Sequence, residues 1–501
     1  MAVFELVLLL LLGGVALTLV APRLGVPWPT LLAVAGAGLA FVPGMPDVEL
    51  DPELALALFV SPVLLDAAYD TSTRDLRRNW LPVGGLVLGA VGATVAAVAL
   101  AAHWTSPGLP WAAAVVLGAI VAPPDAAAAT SVLRQVRLPQ RMQVILEGES
   151  LLNDASALLV YRLAVGAAIG RVTGLAAGWL VLGAFAALAL GWVLARLYVA
   201  AVTRVRVEAA ATVLSFLGTF GVWLLADALG LSAVLTMVVF AVVLARSAPE
   251  RLSARERRAS YAVWEVATFV LNVLAFILVG LQLRGILERA QGSLPRFALV
   301  AAVVLAVTVL VRLAWVGCFY AATRGWRREG ASWRGGLVIG WCGMRGIVTL
   351  AAALALPPGF PERDLVIFAA FCVVLGTLVL QGATLRPLLA RLAPPADRSL
   401  AEEIALARLE TARAALDALA RSGFTGPERD RLASSYGFQL AAPAEQVLVR
   451  LSEHRAMRRL VLAAERSALS AMRRNQAIGD TAFHLVEEEL DWRQVETEGD
   501  R

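Results

Sequence analysis

Four ionisable side chains stand inside long apolar runs. Asp125 closes Ala122-Pro-Pro-Asp125, Glu149 and Asp154 lie in Leu146-Glu-Gly-Glu-Ser-Leu-Leu-Asn-Asp-Ala155, and Arg345 lies in Gly340-Trp-Cys-Gly-Met-Arg-Gly346. A fifth, Asp66, sits near the end of another apolar run. At the centre of a bilayer each charge costs roughly 2.5–3.5 kcal/mol on insertion scales, so each needs a partner or a polar cavity. The spacing favours one shared cluster. Ser150 and Asp154 are four residues apart, as are Glu149 and Asn153, so on a helix each pair shares a stripe and the two stripes adjoin. Pro123 and Pro124 remove backbone donors beside Asp125 and prevent a regular helix there. The carbonyls freed next to a carboxylate are hard oxygen ligands suited to an alkali cation, and the same carboxylate can take a proton instead.

The elements that must position these groups are membrane helices. Of 501 residues, 59% are apolar and 17% charged, and the mean hydropathy is +0.72, well above a soluble globular domain. A span takes roughly 20 mostly apolar residues, and about thirteen such stretches recur, approximately at 3–20, 28–42, 54–68, 81–102, 111–132, 144–168, 175–199, 209–228, 231–245, 261–283, 297–321, 337–356 and 365–389. The first carries Glu5 and no clear cleavage site, so it reads as a membrane helix and not a signal peptide. Arginines cluster after the odd-numbered spans: Arg74, Arg77 and Arg78; Arg134, Arg137 and Arg141; Arg204 and Arg206; Arg251, Arg255, Arg257 and Arg258; Arg324, Arg327, Arg328 and Arg334. Arg284, Arg289 and Arg296 after span ten are the exception. The positive-inside rule then places the N-terminus outside and the C-terminus in the cytoplasm. The chain has no lysine, and its net charge of +5 comes from these arginines, so no nucleic-acid partner is called for. Cys318, Cys342 and Cys372 show no metal or redox spacing and read as small core residues.

Two spans should be broken: span five at its prolines, and span twelve at the three glycines around Arg345. They are seven spans apart. An offset of seven relates spans one to six and eight to thirteen with opposite orientation, as in an inverted-repeat transporter. The fold class is therefore an all-α polytopic membrane protein, with a transmembrane domain over 1–391 and a small cytoplasmic helical domain over 392–501. Gly423 and Gly426-Pro427 should separate the helices of that second domain, and Ala442-Pro443 should precede a long basic one. His454 and His484 lie there and read as ordinary surface histidines.

Gly148-Glu-Ser-Leu-Leu-Asn-Asp-Ala155, Gly343-Met-Arg-Gly-Ile-Val-Thr349 and the acid of span five together resemble the NhaP-type branch of the monovalent cation/proton antiporters, over the whole membrane region. Trp264-Glu265, Asn272 and Phe276-Ile-Leu-Val-Gly280 add to the likeness, as does the acidic Glu487-Glu-Glu-Leu-Asp491. The resemblance implies that Asp154 is the carboxylate that binds ion and proton, with Asn153 as its neutral neighbour. It implies further oxygen ligands from Asp125, Ser150, Asp66 and the Pro124 carbonyl, and a structural ion pair between Glu149 and Arg345. It also implies a homodimer in the inner (plasma) membrane, with no cofactor beyond the transported Na+ and H+ and with lipid around it. One departure stands out: the family usually reads Ala-Thr-Asp-Pro in span five, whereas this chain reads Pro123-Pro-Asp-Ala126, which loses a hydroxyl.

The mechanism that follows is competition. Burial disfavours a charged carboxylate, so the site cannot easily cross empty, and either the proton or the cation must be aboard when the core rocks. One sodium for one proton, electroneutral, is the simplest stoichiometry that the family likeness suggests. Four rivals stay in view. A serine hydrolase built on Ser150 lacks a base, since His103 lies at an outer margin. An aspartyl protease built on Asp125 and Asp154 does not account for the two breaks or for Glu149 and Arg345. A potassium-preferring exchanger differs only in the guest, while a channel would call for a carbonyl filter repeated across subunits, and none is visible.

Overall fold

The structure is a computed structural model that describes the chain apart from residues 1, 44, 46–50, 71–72, 126–139, 170–173, 206, 252–253, 324–332, 393–398, 442–443, 476, 478–479 and 499–501. Several sequence features fall outside the described residues: the second half of span five with Arg134 and Arg137, the arginines Arg206, Arg324, Arg327 and Arg328, and Ala442-Pro443. Among the described residues every regular element is a helix, and the chain divides into two units, Met1–Ala396 and Asp397–Arg501.

In the first unit helices fall on each expected stretch: α1 (Ala2–Leu24), α2 (Trp28–Leu39), α3 (Ser61–Asp70), α4 (Val91–Thr105), α5 (Trp111–Val121), α6 (Gln140–Ala168), α7 (Gly174–Val202), α8 (Glu208–Ala228), α9 (Ala233–Arg251), α10 (Ala254–Leu281), α11 (Leu294–Ala322), the pair α12 (Trp333–Trp341) and α13 (Ile347–Leu354), and α14 (Arg363–Leu392). Among the described residues eight helices are long and apolar enough to cross a membrane, which makes this a multi-pass membrane protein. Lipid tails offer no hydrophobic drive for helices to associate, so close backbone approach at small residues does that work. A β-carbon on Gly36 of α2 would lie 2.3 Å from the Ile277 carbonyl oxygen of α10, and one on Gly280 of α10 would lie 2.2 Å from that of Ala33. Side chains larger than hydrogen at these two positions would pry α2 and α10 apart.

Both expected breaks are present. The α5 helix stops at Val121, and Ala122 to Asp125 run on without helical hydrogen bonding. Pro123 disfavours the helical region for the residue before it, and the two prolines donate nothing to the preceding turn. Span twelve interrupts its helix between Trp341 and Ile347, across Cys342-Gly-Met-Arg-Gly346. A π-helical segment, Gly85–Ala90, runs into α4, and its freed carbonyls are taken by neighbours: Trp315 Nε1 donates to Gly85 O at 2.9 Å, and Ser156 Oγ donates to Val87 O at 3.0 Å.

Among the described residues the second unit has four helices, α15 (Ser399–Arg421), α16 (Pro427–Ala441), α17 (Ala444–Arg474) and α18 (Asp480–Glu498). Gly423 and Gly426, with φ of 69° and 119°, form the turn between α15 and α16, where only glycine is unstrained. Leu462, Leu469, Phe483 and Leu490 close the α17–α18 hairpin, flanked by ion pairs Arg466–Asp491 and Arg493–Glu465.

Candidate ion-binding site at the crossing of two broken helices

The two breaks meet. The Asp125 N–H donates to Met344 O at 2.7 Å, so the non-helical stretches of spans five and twelve pair backbone to backbone in the protein interior. Irregular backbone at this depth is tolerated only when its polar groups are satisfied by protein, and the ends of the half-helices state the problem sharply, because each leaves carbonyls with no acceptor duty inside its own helix. Arg345 solves it for α5. Its Nε donates to Val121 O at 2.8 Å and its Nη2 to Ala122 O at 3.0 Å, while Nη1 turns back to Gly343 O. The side chain is wholly buried, and its own N–H donates to Thr377 Oγ1 of α14 at 3.0 Å. A guanidinium at a helix C-terminus also meets the negative end of the helix dipole.

Arg312 of α11 does the same for α12, with Nε to Gly340 O at 3.2 Å and Nη2 to Ile339 O at 3.1 Å. This arginine also holds Glu149 in a bidentate pair, Nη1 to Oε1 at 2.5 Å and Nη2 to Oε2 at 2.9 Å, both side chains being almost fully buried. The ion pair implied for Glu149 and Arg345 is therefore corrected: Glu149 pairs with Arg312, and Arg345 is spent on carbonyls. The reason is geometric. Arg345 sits on the break itself, within reach of the α5 end, whereas Arg312 approaches along a continuous helix packed on α12. Arg312 was missed in the sequence although the signal was there, since it is a lone charge within the apolar run 297–321 and the insertion cost that singles out Asp125 applies equally to it.

Helix α6 carries the remaining residues past this crossing. Asn153 Nδ2 donates to Pro124 O at 3.2 Å, tying α6 to the span-five break; its Oδ1 has no partner among the described residues. The Pro124 carbonyl keeps a second lone pair. Asp154 is buried and within electrostatic reach of Asp125. Asp125 and Ser150 are half-buried, and Asp66, on α3, is exposed. Tyr161, two turns further along α6, donates to Ala352 O at 3.0 Å and so satisfies one of the last carbonyls of α13. Asp154, Asn153, Asp125 and Pro124 are thus gathered around the crossing, with Arg345 beside them and Glu149 already neutralised. Among the described residues the arrangement offers oxygen ligands and a buried acid, Asp154, that no basic side chain is bonded to.

Comparison with known proteins shows the family and the fold. The family model described as "Sodium/hydrogen exchanger, transmembrane" matches residues 7–391. An uncharacterized Na+/H+ exchanger of Mycobacterium bovis is 36% identical over 424 residues, which cover 80% of this chain and 77% of that protein. A sodium, potassium, lithium and rubidium/H+ antiporter of Bacillus pumilus is 31% identical over 397 residues, covering 73% of this chain and 58% of that protein. The solved structure of the sodium proton antiporter MjNhaP1 from Methanocaldococcus jannaschii matches with a TM-score of 0.61 at 19% identity, over 78% of this chain and 98% of that one, a likeness of fold.

Proposed function

This chain belongs to the sodium/hydrogen exchanger family, and from that premise we propose that it exchanges Na+ for H+ across the cell membrane by letting the two compete for Asp154. The charge count of the buried cluster carries the reading. Glu149 and Arg312 cancel each other through their bidentate pair, and Arg345, whose guanidinium rests on carbonyls, balances in the count one of the two remaining acids, Asp125 and Asp154. Among the described residues of the cluster one negative charge is then left over, and Asp154 is the more deeply buried of the two acids that carry it. Carrying a lone charge through the bilayer is expensive, so the site crosses only when one proton or one monovalent cation has made it neutral. That requirement couples the two fluxes and gives one-for-one, electroneutral exchange. The ligands we assign to the cation are Asp154, Asp125, Ser150 and the Pro124 carbonyl, with Asn153 holding the break in place. Asp66 is exposed on α3, a helix that already shares a buried cluster with α6 through Leu64, Leu65 and Leu151, and joins them only in a conformation that turns its side chain inward.

By the arginine distribution we place the N-terminus outside and the C-terminus in the cytoplasm, in the inner membrane, and by family likeness we infer a homodimer. A broader guest list is a second reading. It is favoured by the Bacillus relative, whose name includes potassium, lithium and rubidium, and by the departure at Pro124, where the family's usual threonine hydroxyl is lost while the backbone carbonyl remains.

Proteoliposomes with an imposed pH gradient test the proposal. Native protein should dissipate the gradient on addition of Na+, without requiring a charge-compensating ionophore, and Asp154→Asn should reduce this to the protein-free background. Undiminished exchange by a folded Asp154→Asn variant would move the binding site elsewhere.

A further inference from the structure

Gly346 lies where the two breaks cross, as the residue that caps α13. A β-carbon built there would lie 1.5 Å from Asp125 Oδ2, 2.5 Å from its Cγ and 2.9 Å from its Cβ. No side chain can share that space, so the Asp125 carboxylate rests directly against the backbone of residue 346. The φ of Gly346 is −138°, which any residue adopts, so conformational freedom is not the reason for glycine here. The reason is room, and the group that takes the room is a carboxylate. Its other constraint comes from its own backbone: the Asp125 N–H is fixed to Met344 O, two residues before Gly346, so the main chain cannot step away to make space. The N-terminus of α13 supplies a partial positive charge to the negative group lying across it.

We infer that Gly346 is a positioning residue for cation binding: by having no side chain it lets the Asp125 carboxylate lie across the start of α13 and face the site shared with Asp154. This rests on the proposed competition for Asp154 and adds to it the element that sets the second acid. With a methyl at 346 the backbone hydrogen bond persists, and the Asp125 side chain must rotate to another χ1 well. That rotation withdraws an oxygen ligand from the cation. Asp154 stays in place, so proton binding there and the rocking step remain.

The test is Gly346→Ala in full-length protein reconstituted in proteoliposomes, with initial rates measured against Na+ concentration. The KM for Na+ should rise about tenfold or more, with the maximal rate within about threefold of native, because ground-state cation binding is what is lost. A native KM, or an equal loss of maximal rate with unchanged KM, overturns the inference. If Gly346→Ala does not yield folded protein, the exchanged double variant Asp125→Gly/Gly346→Ala decides, since removing the opposing side chain should restore folded yield and melting temperature; no restoration overturns the inference. The outcomes separate from those of the parent proposal. Loss of exchange in Asp154→Asn with native Na+ affinity in Gly346→Ala defeats this inference alone, whereas retained exchange in Asp154→Asn defeats both.

Discussion

Spans five and twelve break at the same kind of place and are mended differently. Each leaves carbonyl oxygens at the end of its first half-helix, and each receives an arginine: Arg345 on Val121 and Ala122, Arg312 on Ile339 and Gly340. The span-twelve cap comes from α11 and brings its own countercharge, Glu149. The span-five cap comes from span twelve itself, and its hydrogen-bond acceptors are all carbonyls. One break is therefore an electrically closed joint, and the other is capped by a guanidinium with no acid among its hydrogen-bond acceptors. The difference shows how a membrane protein can make a site from a structural repair. Satisfying the span-twelve break yields a neutral brace, while satisfying the span-five break leaves a buried guanidinium held by carbonyls alone.

The largest effect should come from unbalancing the closed joint. Glu149→Gln leaves Arg312 buried without a countercharge and should cost about 3–5 kcal/mol of stability, read as a lowered melting temperature in detergent. Replacing both partners, as Glu149→Gln with Arg312→Met, should cost less than the sum of the single changes, and additivity in that cycle would break the comparison. Next comes Arg345→Lys. An ammonium cannot reach three carbonyls in one plane as the guanidinium does, so stability should fall by about 1–3 kcal/mol, with Na+ affinity falling too because the span-five break shifts. Should the Arg345→Lys variant melt like native protein, Arg345 would not be the cap described here.

Two smaller changes sharpen the picture. Tyr161→Phe removes the donor to Ala352 O at the far end of α13 and should lower stability by about 0.5–1.5 kcal/mol while leaving Na+ affinity unchanged, since it loosens the half-helix away from the site. Pro124→Thr returns a hydroxyl to the break and should lower the KM for Na+ by roughly fivefold at most, about the worth of one hydrogen bond. A raised KM would show that the proline ring, and not the missing oxygen, tunes this site.

Much of this was legible in the chain. Apolar runs of about 20 residues imply membrane helices because the hydrocarbon core has a fixed thickness. Pro123-Pro124 and the glycines around Arg345 mark the two breaks because missing donors and missing side chains are local properties. Asp125, Glu149 and Asp154 stood out because charge in an apolar run demands compensation, and the same rule would have found Arg312 had it been applied to span eleven. Which charge answers which is another matter. Glu149 is 163 residues from Arg312, and no spacing rule reaches across that interval. The partnership of Asn153 with Pro124, the cap that Arg345 places on α5, and the room that Gly346 leaves for Asp125 arise only where two interrupted helices cross. The sequence by itself determined what kinds of groups are buried and where the helices cannot continue, since both are set by side-chain solvation and backbone chemistry. The pairing came from the tertiary structure, since hydrogen bonds at the crossing depend on distances that packing alone sets.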